Sequence, residues 1–278
     1  MPKEKKIKGI ILAGGSGTRL YPCTKPISKQ LLPVYNKPMI YYPLSVMMMA
    51  EITDILVITS PNDRKSFEIL LGDGSQFGIR ISYAEQKKPE GIAQAFLIAE
   101  QCGFADGSES LALILGDNIF HGDELLYYLS DAKYNILDCS YSEFKCATIF
   151  GYEVNDPSRY GVAEVDENGK CISIEEKPKN PKSNYAVVGL YFYPEDVISK
   201  VKTLTPSKRN ELEITDLNKL YLDEDRLELM ILPKGTAWFD SGTFDSLLEA
   251  SNYVSAIENH QHIPVSDLKH IAEEKEWI

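Results

Sequence analysis

The stretch Ile10-Ile11-Leu12-Ala13-Gly14-Gly15-Ser16-Gly17-Thr18-Arg19-Leu20 decides the fold. A short apolar run breaks off into Gly14, Gly15 and Gly17, the pattern of a buried strand giving way to a loop whose backbone can come close to a ligand. Such a loop suits phosphates. Glycines free the amide groups to point at anionic oxygens, and Thr18 and Arg19 add a hydroxyl and a fixed fork of donors beside them. Two better-known loops are excluded by the spacing: a P-loop ends in Gly-Lys-Ser/Thr, where this one reads Thr18-Arg19-Leu20, and the dinucleotide fingerprint needs a third glycine where Leu20 stands. The competing reading is a plain turn after a strand.

Outward from the loop, strands and helices alternate. Lys25 to Val34 is broken by Pro26 and Pro33, so it reads as a rigid loop in which Lys25, Lys29 and Gln30 can face the same ligand as Arg19. Met39 to Ala50 reads as a buried helix with Pro43 in its first turn, Asp54 to Thr59 as a core strand, Asn62 to Leu71 as a helix ended by Gly72, Ile79 to Tyr83 as a strand and Ile92 to Cys102 as a helix. Leu111 to Leu115 is continuously apolar, as expected of a strand covered on both faces. This rhythm predicts an α/β fold with a doubly wound, mostly parallel, Rossmann-like sheet, whose ligands sit beyond the carboxyl ends of the strands. The glycine loop and Asp117 both fall on that edge.

From Cys146 the texture turns to short β segments: Cys146 to Val154, Gly161 to Asp166, Cys171 to Glu175 and Tyr185 to Tyr193, with Glu167-Asn168-Gly169 as a hairpin turn. These predict an inserted β-rich lobe. Glu176 and Lys177, at a strand end, read either as a salt bridge or as partners for a sugar's hydroxyls and phosphate; Tyr191 reads as a site or a core residue. Leu212 to Leu222 is a helical segment, Leu227 to Leu232 a strand, and Thr236 to Thr243 a strand end turning into a helix through Ile257. Asp240 resembles Asp117 in setting. Two such carboxylates at one edge suit Mg²⁺, with waters and phosphate oxygens completing the octahedron; the alternative for Asp240 is a helix N-cap.

The 278 residues are 44% hydrophobic and 25% charged, an ordinary globular composition. A net charge of -12 argues against nucleic acid or acidic membrane surfaces as partners, since either wants a broad basic face. Arg19, Lys25 and Lys29 instead fit a small basic pocket. Cysteines 23, 102, 139, 146 and 171 form no Cys-x-x-Cys pair, which points to a reducing compartment. The basic start at 1–6 lacks the apolar run of a signal peptide. The expectation is a cytoplasmic protein. The four histidines, at 121, 260, 262 and 270, form no triad or metal cluster.

Taken together, Gly14 to Leu20, Ser28-Lys29-Gln30-Leu31-Leu32-Pro33, Gly116-Asp117-Asn118, Tyr160-Gly161-Val162, Glu176-Lys177-Pro178, Glu211-Leu212-Glu213-Ile214-Thr215-Asp216 and Trp238 to Thr243 resemble the glucose-1-phosphate thymidylyltransferases, a sugar nucleotidyltransferase family. The resemblance runs from about residue 7 to 278. It implies transfer of a deoxythymidylyl group from dTTP to α-D-glucose 1-phosphate with Mg²⁺, giving dTDP-glucose and pyrophosphate, the first step toward dTDP-rhamnose and related sugars. It also implies roles. Gly14, Gly15, Ser16, Gly17, Thr18 and Arg19 cradle the nucleotide phosphates, with Gln30 beside them; Arg19 and Lys29 steady the pyrophosphate; Asp117 and Asp240 bind the metal; Lys177 holds the sugar phosphate. Gln86 and Gly91 match thymine-contacting positions, and Asn118, Gly161, Glu176, Val188 and Tyr191 match the glucose site.

The resemblance further implies a nucleotide-binding part over about 1–120, a sugar-phosphate-binding part over about 121–245, a C-terminal helical segment over about 246–278, and a homotetramer. Asn210 stands where glycine is common, and Phe239 and Ser241 where Leu and Thr are usual. The chain stops at Ile278, before the tail that shapes the family's regulatory nucleotide site, so feedback by dTDP-rhamnose is not expected. The alternatives are a nucleotidyltransferase for UTP or another sugar 1-phosphate, and a non-catalytic sugar-nucleotide sensor. The sensor would be expected to have lost Arg19, Lys29, Asp117, Lys177 or Asp240; all five are present.

Overall fold

A computed structural model describes residues 7–138 and 144–278; the basic start at 1–6 and Cys139 lie outside the described residues. Two compact units interleave along the chain. The first holds Gly9–Lys88, Ile114–Asp123 and Gly235–Ile278; the second is built on Pro89–Leu113 and Glu124–Lys234, so that its larger part is inserted into the sequence of the first.

In the first unit three apolar runs become parallel strands, Ile7–Ala13, Asp54–Thr59 and Arg80–Glu85. Their register brings Ala13 beside Thr59 and Thr59 beside Glu85. Gly14, Ser60 and Gln86 therefore leave the sheet at one edge, where parallel α/β sheets bind ligands. Ile10, Ile11, Ile55, Val57 and Ile58 are fully buried, each stabilising the core by about 1.5–3 kcal/mol. The helix Tyr41–Met49 is buried along most of its length, with Pro43 in its first turn. Arg64–Leu71 buries Phe67 and Leu71 only and ends at Gly72, φ +58°, the left-handed position glycine fills without strain.

The first unit also pairs Asn118–His121 with Ala237–Asp240, antiparallel, with Asp240 opposite Asn118. The helix that follows, Phe244–Gln261, is capped by Thr243, whose side chain accepts from the Ser246 amide in a reciprocal capping box. Asp240 is thus not the N-cap, the alternative considered for it. Val34, Met39, Tyr42, Ile119, Ala250, Val254 and Val265 form one buried cluster, with Phe239 packed against it, and hold this helix to the strand pair that carries Asp240.

The second unit carries the β-rich insert. Cys171–Glu176, Gly161–Val165, Tyr185–Tyr193 and Ala147–Glu153 run antiparallel in that order, and Leu227–Ile231 adds in parallel beside Ala147–Glu153. The turn at 167–169 forms as expected: the Asp166 carboxylate accepts from the amides of Asn168 and Lys170, each at 2.9 Å, and Gly169 has φ +82°. Leu111 to Ile114 are fully buried. Helices Leu125–Leu137 and Ile214–Asp223 pack on these strands, and Gln94–Gln101 packs against Val197–Val201. Among the described residues no helix is long and apolar enough to cross a membrane.

Candidate functional site

The glycine loop owes its shape to two residues. Gly15 at φ +103° and Gly17 at φ +58° lie where an L side chain is strained, and the Thr24 hydroxyl donates to the Gly17 carbonyl at 2.8 Å. A short turn, Thr18–Leu20, is anchored by buried Leu20. Gly15, Ser16, Thr18 and Arg19 are left exposed. Behind the loop, buried Gln30 donates from Nε2 to the Gly14 carbonyl at 3.3 Å and accepts from the Ser28 hydroxyl at 2.5 Å. A methyl group on Gly14 would stand 2.5 Å from Gln86 Oε1. Gly14, Gln30 and Gln86 are one contiguous group; Lys25 is exposed.

Beside them sits the acidic centre. Asp117, 7% exposed, is ion-paired to Lys29 Nζ and accepts from Asn118 Nδ2 at 3.2 Å. Burial opposes ionisation of this carboxyl, yet the Lys29 ammonium and the donated hydrogen bonds prevail and hold it below the usual carboxylate range. The Ser241 amide donates to the Asp117 carbonyl at 3.0 Å, and Trp238 Nε1 donates to Asn118 Oδ1 at 2.7 Å. The turn after Asp240 is therefore fastened to the Gly116-Asp117-Asn118 turn. A Cβ on Gly242 would stand 2.6 Å from Arg19 Nη2 and 3.2 Å from Asp240 Oδ1, so the Arg19 guanidinium and the Asp240 carboxylate flank the same small residue. The structure brings together Arg19, Lys29, Asp117 and Asp240.

Among the described residues no group of three or more His, Cys, Asp or Glu could hold a metal ion. Two carboxylates on adjoining turns, one kept ionised while buried, still fit a hard cation that retains most of its waters and takes phosphate oxygens. They do not suit a closed structural site of the zinc type.

In the second unit Glu176 faces Gly161 across a strand pair, and Gly161 faces Val187 on its other side. A Cβ on Gly161 would lie 3.1 Å from Thr215 Oγ1 and 3.6 Å from Glu176 Oε2, so glycine leaves space beside the carboxylate. The register between Tyr185–Tyr193 and Ala147–Glu153 shifts between Val187 and Tyr191; this irregularity contains Val188, and bulges commonly re-aim side chains at sites. Buried Tyr191 stacks on Tyr193 at 6.2 Å, and burial, with Glu176 nearby, pushes its hydroxyl pKa up. Lys177 is exposed with φ +44°, a strained conformation for a side-chain-bearing residue that clusters at functional positions. Its Nζ lies 3.4 Å from Glu176 Oε1. Gly91, φ +106°, abuts the backbone of Leu212 so closely that no Cβ fits.

Three partners escaped the sequence reading. Arg209 Nη2 donates to Glu176 at 3.1 Å and to Glu213 at 2.8 Å, and the Thr215 hydroxyl donates to Glu176 Oε2 at 2.6 Å. Both side chains lie in or beside the Glu211 to Asp216 motif, which was the available signal. Trp238 likewise begins a recognised motif, but nothing local to it specifies Asn118 as its acceptor. Asn118, grouped with glucose positions by resemblance, belongs to the first unit with Asp117, whereas Gly161, Glu176, Val188 and Tyr191 belong to the second.

A sheet-edge glycine loop with basic side chains and a pair of acids defines a nucleotide-handling α/β protein, and the nucleotidyl transferase family model matches residues 8–256: the chain belongs to the nucleotidyl transferase family. A glucose-1-phosphate thymidylyltransferase of Neisseria meningitidis is 52% identical over 98% of this chain and 91% of its own length. One from Xanthomonas campestris is 54% identical over 98% and 88%. Within the family the chain falls with the glucose-1-phosphate thymidylyltransferases. A crystal structure of a Bacillus anthracis protein described as such an enzyme, in complex with a sucrose, matches with TM-score 0.77 and 42% identity over 89% of this chain and 94% of that one. A UDP-glucose pyrophosphorylase complexed with UDP-glucose matches with TM-score 0.72 and 27% identity over 90% and 98%.

Proposed function

We propose that this protein transfers a deoxythymidylyl group from dTTP to α-D-glucose 1-phosphate, releasing pyrophosphate. An oxygen of the sugar's phosphate attacks the α-phosphorus in line; that P–O bond forms as the bond to the β-phosphate oxygen breaks. No covalent enzyme intermediate is needed, and the protein's task is to position two polyanions and offset the charge that moves onto pyrophosphate. The observation that carries the reading is the assembly of Arg19, Lys29, Asp117 and Asp240 around adjoining turns at the glycine loop.

In the first unit Gly14 to Thr18 take the nucleotide's phosphates, Arg19 and Lys29 hold the pyrophosphate, and Gln30 fixes the loop from behind. Gln86 of this unit and Gly91 of the second are the positions assigned to the thymine. Asp117 and Asp240 would hold Mg²⁺, which when bound supplies positive charge to the phosphate oxygens. Lys29, by pairing with Asp117, keeps that carboxylate ionised in a buried setting. In the second unit Glu176, Gly161, Val188 and Tyr191 receive the glucose and Lys177 its phosphate; Asn118, of the first unit, is the remaining residue assigned to the sugar. The same reading carries a homotetramer in the cytoplasm.

The relatives at 52% and 54% identity are named for thymidylyl transfer, whereas the UDP-glucose enzyme stands at 27%; this favours dTTP over UTP. The test is pyrophosphate release with Mg²⁺, each of dTTP and UTP, and each of glucose 1-phosphate and glucosamine 1-phosphate. The dTTP and glucose 1-phosphate pair is expected to give the highest kcat/KM. Absence of dTDP-glucose from that mixture refutes the reading; higher kcat/KM with UTP reassigns the base.

A further inference from the structure

Glu213 lies outside the groups assigned above, yet both its backbone and its carboxylate are tightly held. Its backbone is fixed on both sides. Just before it, the Leu212 amide donates to the Glu90 carbonyl at 2.7 Å and the Leu212 carbonyl accepts from Ala93 at 3.2 Å; just after it, the helix Ile214–Asp223 begins, with Asp216 and Leu217 donating to the Glu213 carbonyl. The side chain is 9% exposed. Its Oε1 accepts from the Ser207 hydroxyl at 2.6 Å and Arg209 Nε at 3.2 Å, and its Oε2 accepts from Arg209 Nη2 at 2.8 Å. Two parallel bonds from one guanidinium to one carboxylate set both the position and the plane of the arginine.

Beyond Glu213 and Glu176, Arg209 pairs through Nη2 with Glu211 Oε2 at 3.3 Å, a single contact against the two-bond fork to Glu213. It is 41% exposed and sits on a tight turn, closed by Asn210 donating to the Ser207 carbonyl at 2.9 Å. The nitrogen that Glu213 fixes, Nη2, also reaches Glu176 Oε1 at 3.1 Å, while Thr215 holds the other oxygen of Glu176 at 2.6 Å. One oxygen of Glu176 is thus set by Thr215, and the other is met by Lys177 Nζ at 3.4 Å and by an arginine whose plane is set by its fork to Glu213.

The geometry points to Glu213 as a positioning residue that acts through Arg209 to orient the Glu176 carboxylate for the sugar. This rests on the reading of Glu176 as a glucose partner. A salt bridge serving stability alone gives a different pattern: Glu213→Gln would lower the melting temperature and leave the substrate constants unchanged.

The experiment is a double-mutant cycle on the full-length protein with Glu213→Gln, Glu176→Gln and both together, reading KM for glucose 1-phosphate and for dTTP. Glu213→Gln is expected to raise KM for glucose 1-phosphate about tenfold, the loss of one charge-assisted hydrogen bond, with KM for dTTP within about twofold of wild type. The double variant is expected to have a glucose 1-phosphate KM no higher than Glu176→Gln alone. A multiplicative double variant, equal increases in both KM values, or an unchanged glucose 1-phosphate KM in Glu213→Gln overturns the proposal. If Glu213→Gln fails to fold, Arg209→Lys, which keeps the charge and loses the fork, carries the same cycle and the same expectations. An unchanged glucose 1-phosphate KM in Glu176→Gln instead defeats the underlying sugar-site reading, and no turnover of glucose 1-phosphate by wild type defeats the proposed reaction.

Discussion

Gly242 permits a test in which no charged group is removed. An alanine Cβ there would stand 2.6 Å from Arg19 Nη2, 3.2 Å from Arg19 Cζ and 3.2 Å from Asp240 Oδ1. Non-bonded heavy atoms settle at about 3.5–4.0 Å, so Nη2 must retreat by about 1 Å while the carboxylate gives by a few tenths. The backbone at Gly242 lies outside the left-handed region and accepts alanine, and the atom that yields is the end of an exposed arginine. Stability is therefore expected to change by no more than about 0.5 kcal/mol. Catalysis is far less tolerant: a misplacement of about 1 Å in a group that stabilises transferring charge costs up to about 10²-fold, equivalent to about 2.7 kcal/mol of barrier. Gly242→Ala is thus expected to lower kcat for pyrophosphate release by about 10- to 100-fold with an almost unchanged melting temperature, and Gly242→Val to lower it further. Wild-type kcat in both variants would show that neither Arg19 nor Asp240 has to stand where it does, and would refute the site.

Asp117→Asn leaves the Lys29 ammonium beside a neutral amide in a mostly buried pair, so a stability loss of up to about 3 kcal/mol is expected in chemical denaturation together with loss of most Mg²⁺-supported turnover. Because the Asp117 pKa is lowered on folding, its contribution to stability is fully present above its unfolded value of about 3.9 and is lost as pH falls through the folded value; the difference in unfolding free energy between wild type and Asp117→Asn should be constant near neutrality and shrink only below about pH 4. Gly91→Ala combines φ +106° with a collision against the Leu212 backbone, and is expected to cost about 1–3 kcal/mol and to raise KM for dTTP; an unchanged melting curve would show that the contact is slack. Asn210 holds φ +58°, so Asn210→Gly should be neutral or slightly stabilising and Asn210→Val destabilising by about 1–2 kcal/mol, an ordering that thermal unfolding of the two variants checks.

Where a run is apolar and bounded by turns, the sequence sufficed: Asp54–Thr59 and Tyr185–Tyr193 have the ends expected of them, because burial alone selects those strands. Two helices start later than expected, where backbone groups are used elsewhere. The helix expected from Leu212 begins at Ile214, since Leu212 bonds Glu90 and Ala93 instead, and the helix expected from Ile92 begins at Gln94 for the same reason. The expectation places no helix over Leu125–Leu137, although Leu125, Leu129, Ala132 and Ile136 are its buried residues, a helical spacing. Asn210 also has its explanation in the backbone: the turn demands a left-handed residue, φ +58°, and asparagine is among the few besides glycine that tolerate it.

The site is a different matter, because its decisive contacts join residues far apart in the chain. Lys29 and Asp117 are 88 positions apart, Trp238 and Asn118 120, and Arg209 and Glu176 33. Each residue type could be picked out by its setting after a strand or within a motif, but its partner could not, since the pairing is created by strand register and by the two turns that Ser241 and Asp117 fasten together. This is also why a lone aspartate after a strand carries so little meaning. Asp117 as a turn residue and Asp117 as a buried carboxylate kept ionised by Lys29 have identical local sequences. They differ only in what the fold places against the carboxylate, and it is that lysine which lets the acid stay charged in a setting where it would otherwise take up a proton.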